Sequence, residues 1–132
     1  MRLFVALCTV ALGASSVLAQ TQAQIEKRYT RDYSQCMDAS GGVTSEMMDC
    51  GGAEIDRQDA RLNQAYVMVM HSLPPAKKTT LRTLQRSWIK QRDARCQARI
   101  RDNDGTEANL IYSGCILDET IKRTIFLENY KG

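Results

Sequence analysis

Proline occurs twice in this chain of 132 residues, and tryptophan and histidine once each. The single histidine, His71, sits beside Pro74-Pro75 with no serine or cysteine nucleophile at an interpretable spacing, which leaves no hydrolytic triad. It reads as a partner for a helix C-terminal dipole. No C-x-x-C pair or histidine cluster offers a zinc site, and no glycine-rich loop offers a phosphate cradle. No interleaving of basic and aromatic residues suggests a nucleic-acid surface. The turn Asp102-Asn103-Asp104-Gly105 has the composition of a calcium loop. Aligning Gly105 with that loop's glycine, however, puts Ile100 at the first ligand position and Ile111 at the last. No metal or cofactor is therefore expected. Glu54, Asp56 and Asp59 lie close together on one helix, whereas a glycosidase needs two carboxyls facing across a cleft. The chain is not expected to be an enzyme.

Long hydrophobic runs are also missing. The longest, Leu3 to Leu12, is too short to span a bilayer. Preceded by Arg2 and followed by Val17-Leu18-Ala19, it reads as a signal peptide over residues 1–19, cleaved before Gln20. Cys8 follows Leu7 in mid-run, unlike a lipoprotein cysteine, and is expected to leave with the signal. The predicted product is a periplasmic or secreted chain without a stable membrane anchor, residues 20–132, of a length suited to one domain. It carries one cation fewer than the formal +3 of the whole sequence. So small a charge, with both signs interspersed, argues against nucleic acid or an anionic membrane as partner.

What is present begins with four remaining cysteines, Cys36, Cys50, Cys96 and Cys115. An even number in an exported chain favours two disulfides over metal ligation. Three connectivities exist in principle. Cys36 with Cys50 and Cys96 with Cys115 is preferred, because each bond would staple a helix end to the next helix start. Cys50 with Cys96 and Cys36 with Cys115 is the rival.

Apolar spacing and chain breakers predict an all-α fold, a small antiparallel bundle of three to four helices. Residues 21–38 read as a polar helix broken by Ser40-Gly41-Gly42. Thr44 or Ser45 can cap a second helix with Glu46 in its first turn. Ile55, Leu62, Tyr66, Val69 and Leu73 form one apolar stripe on it. Leu73-Pro74-Pro75 ends that helix and starts a third, about 76–101, with Leu81, Leu84, Trp88 and Ile89 facing inward. After the turn at 102–105 a final helix, about 109–130, buries Leu110, Leu117, Ile121 and Ile125. The tight proline turn makes the second and third helices antiparallel neighbours. Reflection about it sets Trp88 against Leu62 and Tyr66, and Arg92 near Asp56 and Asp59.

Two linked strings are distinctive: Leu62-Asn63-x-x-Tyr66, and Gln85-Arg86-x-Trp88-x-x-x-Arg92-Asp93-x-x-Cys96 with Cys115 beyond. With Cys36 and Cys50 upstream, they make the chain resemble the lysozyme inhibitor LprI-like family of small secreted helical domains, over roughly 36–127. The physical reading of Asp59, Leu62, Asn63, Tyr66, Gln85, Trp88, Arg92 and Asp93 is structural. A tryptophan spaced with leucines on a helix is more often core than ligand platform. An arginine answering a helix carboxylate is more often a device of specificity than an active site. The resemblance implies a cell-envelope protein whose partner is another protein, a lysozyme, which it binds and inhibits. Animal-type lysozymes are strongly basic, so an inhibitor gains steering from an acidic face. Asp49, Glu54, Asp56 and Asp59 are candidates for one. The loop from Asp102 to Asn109, with Asp104 and Glu107, is the candidate inserting segment. The alternative is a non-catalytic adaptor for another exported partner.

Overall fold

A computed structural model describes residues 21–132. The expected signal peptide and Cys8 lie outside the described residues. Residues 21–26 are helical, and four longer helices follow: α1 Arg31–Ala39, α2 Thr44–Ser72, α3 Pro75–Arg99 and α4 Glu107–Glu128. No strand occurs among the described residues, and none of their helices is long and apolar enough to cross a membrane.

The breakers act where the sequence puts them. Gly41 and Gly42 take φ of 57° and 84°, a left-handed backbone that L side chains seldom adopt, and so end α1. Pro74 caps α3 and Pro75 opens it, where a missing N–H costs nothing. The expected continuous helix over 21–38, by contrast, is broken. Residues 27–30 turn away from helix, and Thr30 becomes the N-cap of α1, its Oγ1 accepting from Tyr33 N at 3.1 Å. Only with that break does the backbone N–H of Thr30 become available to a side chain of α2.

The disulfides are Cys36–Cys50 and Cys96–Cys115, and the rival pairing is absent. The first ties α1 to α2; the second ties the end of α3 to the start of α4. The most intimate helix pair is α2 with α4, while α1 lies on α2 and α3 on α4. The backbones of α2 and α3, although joined by the proline turn, do not run in close contact. Their separation departs from the expected close hairpin, since α4 supplies the neighbour for both legs.

The pairing of α2 and α4 is parallel, as the register shows. Gly51 lies against Ser113 near the start of both helices, where a Cβ would stand 2.8 Å from the Ser113 hydroxyl. Near their ends, Leu127 joins Val69 and Leu73 in the main apolar cluster with Leu62, Ala65, Leu81 and Trp88. A smaller cluster surrounds Cys96, Cys115 and Ile116, with Ile55 and Tyr112 against it. Leu117 and Ile121 are buried as expected; Leu110 and Ile125 are half-buried. Leu84 and Ile89 are 43% and 41% exposed, against the inward placement expected of them. With α2 standing off, α3 has only the narrow stripe of Leu81, Trp88 and Cys96 to bury.

Candidate interaction surfaces

Three regions gather polar side chains. The first is a buried node at Glu54, whose side chain has no exposed area. Its Oε1 accepts from Thr30 N at 3.0 Å and Gln58 Nε2 at 2.7 Å; its Oε2 accepts from Thr30 Oγ1 at 2.6 Å and Arg57 Nε at 2.8 Å. Burial raises the cost of charging this carboxyl, but the hydrogen bonds from Thr30, Gln58 and Arg57 outweigh it, and its pKa lies below the ordinary value. Gln58 Nε2 and Arg61 also donate to the carbonyl of Arg28, at 2.9 and 2.8 Å. Tyr29 donates to Asp118 at 2.7 Å, and Arg28 pairs with Glu128 at 2.6 Å. Together these fasten residues 28–33 across α2 and α4, with the fully buried Ile25 as apolar anchor. Glu54 was a candidate for the acidic contact face. Its burial removes it from that role, because a partner cannot touch a carboxylate already enclosed by four donors.

The second region is a groove of about 470 Å³ between the separated legs α2 and α3. From α2 it is lined by Asp59, Leu62, Asn63 and Tyr66, and from α3 by Arg82, Gln85, Arg86, Trp88, Ile89 and Arg92. Most of the distinctive strings therefore converge on one place, with Asp93, Cys96 and Cys115 outside it. Trp88 is 9% exposed and shares the main cluster with Leu62. The Arg92 guanidinium lies 5.1 Å from the centre of the Trp88 ring, within cation–π range. Its direct ion pair is with Asp93 at 2.9 Å rather than with Asp56 or Asp59. Burial pushes the Asp59 carboxyl up from its ordinary value, Arg92 pulls it down, and Asp56 adds to the rise. Sequence reasoning missed Arg123 of α4, which is not itself in the lining but holds two residues that are. It donates to Gln85 Oε1 at 2.8 Å and sits 5.5 Å from the Trp88 ring and 4.3 Å from that of Phe126.

The third region is one pole of the bundle. Parallel packing brings the starts of α2 and α4 side by side, together with both disulfides and the 100–106 loop. Exposed there are Asp38, Glu46, Asp49, Asp102, Asp104 and Glu107. Arg99, the last residue of α3, and Arg101 of the adjoining loop are exposed there too. The loop is braced by the Asn103 side chain, whose Oδ1 accepts from Gly105 N at 3.1 Å, and it lies wholly within the Cys96–Cys115 ring. Asp56 is exposed further along α2, nearer Asp59 than the pole. Among the described residues no group of three or more His, Cys, Asp or Glu is placed to hold a metal.

The family model for the lysozyme inhibitor LprI matches residues 36–127, from the first half-cystine to the last buried leucine. The chain belongs to the LprI lysozyme inhibitor family. It is a family of inhibitors, not of catalysts. No curated protein and no solved structure matches the chain. Family membership thus assigns a protein partner in general terms, and the two disulfides fit an oxidising compartment.

Proposed function

We propose that residues 20–132, freed of a signal peptide, form one envelope domain that binds and inhibits a peptidoglycan-degrading muramidase through its acidic pole. The observation that carries this reading is the segregation of charge. The chain is mildly basic overall, yet one end of the bundle presents six exposed carboxylates against the two exposed arginines Arg99 and Arg101, on a doubly stapled scaffold. A lysozyme with a strongly basic surface would be steered to that end, and the disulfide ring around the 97–114 segment limits the ordering needed on contact.

The test is a cell-wall lysis assay in which oxidised protein is titrated against chicken-type, goose-type and invertebrate-type lysozymes. Saturable inhibition near one-to-one stoichiometry, weakening as salt is raised, is expected for at least one class. Replacing Asp104 and Glu107 together by alanine should weaken inhibition several-fold, because both are exposed and outside the core. Absence of inhibition in all three classes would replace this reading with that of an adaptor for another exported protein.

A further inference from the structure

The groove between α2 and α3 has a charge pattern that the acidic pole does not explain. Along α3, Lys78, Arg82, Arg86 and Lys90 recur every fourth residue, so that successive cations sit one turn apart over roughly 18 Å of helix. Like charges at that spacing repel. Among the described residues none of the four has an ion pair or a side-chain hydrogen bond, and α3 carries no acidic residue before Asp93. Arg82 and Arg86 form the rim of the groove. Along it, among the described residues, the side chains of Asn63 and Tyr66 have no hydrogen-bond partner, and Gln85, whose carbonyl oxygen is taken by Arg123, has none for its NH2. Asp59 is the one acid in the lining.

A second hollow of similar size, about 520 Å³, lies beside Arg28 and Arg61. There Arg28 is taken by Glu128 and Arg61 by the Arg28 carbonyl, leaving Lys27 as the one cation of that lining without an ion pair among the described residues. The α2–α3 groove differs in that both guanidinium groups on its rim, Arg82 and Arg86, are unpaired among the described residues.

We propose that this groove binds a carboxylate-bearing, amide-rich chain, the chemistry of the peptidoglycan stem peptide. Arg82 and Arg86 would take a carboxylate through forked hydrogen bonds. Asn63, Gln85 and Tyr66 would meet the amides, and the exposed Ile89, beside the buried Leu62 and Trp88, would lie under the chain. The protein would then rest on the cell wall by its basic flank and offer its acidic pole to an approaching muramidase. The choice of a cell-wall source rests on the envelope reading above; the groove's preference for amide and carboxylate does not.

Trp88 is the only tryptophan, and it lines the groove, so its emission reports occupancy. The experiment titrates the oxidised protein with a disaccharide-tetrapeptide muropeptide, the free stem tetrapeptide, neutral chitotetraose and polyacrylate, which carries carboxylates but no amides. Saturable change with the muropeptide, and none with chitotetraose, is expected. An equal response to the free tetrapeptide would locate recognition in the peptide and also support the proposal. The double variant Arg82→Ala/Arg86→Ala, at two exposed positions, should weaken muropeptide binding at least tenfold while leaving the melting temperature and lysozyme inhibition unchanged. Arg86→Lys, which keeps the charge but loses the fork, should fall between. Unchanged affinity in the double variant, equal binding of polyacrylate or chitotetraose, or no saturable response to the muropeptide would overturn it. Failure of lysozyme inhibition with muropeptide binding intact would count against the earlier reading alone.

Discussion

Replacing Glu54 by glutamine changes one atom type at the point where the N-terminal segment meets α2. The carboxylate receives two donors on each oxygen. A glutamine offers one carbonyl oxygen, so whichever way its amide is turned, its NH2 faces donors. Towards Oε2 it meets Arg57 Nε, which cannot accept; towards Oε1 it meets the Thr30 N–H, which cannot either. At least one charge-assisted hydrogen bond is lost, at about 1.5–3 kcal/mol, and a buried donor is left without a partner. Arg57 remains 34% exposed and can turn to water, which limits its share. The expected loss is about 3 kcal/mol at pH 7, or roughly 10 °C in melting temperature for a domain of this size. Because the folded pKa of Glu54 lies below its ordinary value of 4.5, its charge stabilises the fold above that value. The contribution fades as pH falls through the lower, folded pKa. Urea unfolding followed by circular dichroism, disulfides intact, should therefore show a wild-type advantage that is full at pH 7 and narrows below about pH 4.5. Trypsin should also cut sooner at Lys27, Arg28 or Arg31 in the variant. A loss under about 1 kcal/mol at pH 7, or a gap that does not narrow in acid, would refute the account.

Trp88→Ala should cost ~3 to 5 kcal/mol by emptying the seam between α3 and the main cluster, measured by equilibrium denaturation. Paired Cys96→Ser and Cys115→Ser substitution should cost ~3 kcal/mol by releasing a loop of 19 residues, seen as a lower melting temperature. Gly52→Ala should stabilise by up to ~1 kcal/mol, since it lies inside α2 with nothing within 4 Å of an added Cβ. Gly51→Val should destabilise by more than 1 kcal/mol in the same assay, because the Ser113 hydroxyl already stands 2.8 Å from the first added carbon.

Local signals carried far where the physics was local. Pro74-Pro75, the paired glycines and the spacing of Leu62, Val69 and Leu73 placed the ends and inward stripe of α2, and cysteine spacing led to the observed pairing. What went unread depended on distant partners. Leu84 and Ile89 fit the inward period of α3, yet no helix among the described residues covers them. Arg92 sits where a reflected hairpin would offer Asp59, but the legs stand apart and the adjacent Asp93 takes the bond. Thr30 looked like any polar residue of a helix, because its cap depends on a carboxylate 24 positions later. Ile25, Tyr29 and Tyr33, spaced by four, were the available sign that this segment has an inner face. Tyr29 and Tyr33 do stack, with ring centres 5.1 Å apart. Arg123 gave no sign, being one cation among many until α4 brings it beneath Trp88.

The bundle is held by different forces at its two ends. Near the acidic pole the helices are joined by covalent bonds around a small cluster; toward the proline turn they are joined by side-chain packing around Leu62, Leu81 and Leu127. Reductant and heat should therefore attack opposite ends of the molecule. Thiols would free the 97–114 loop and α1 first, leaving amide hydrogens near Val69 and Leu127 protected from exchange. A mild rise in temperature in the oxidised protein would instead loosen the apolar end while the pole kept its shape. An exchange gradient along the long axis that reverses its direction on reduction would be the signature of a protein whose rigid end is set by the oxidising power of its surroundings.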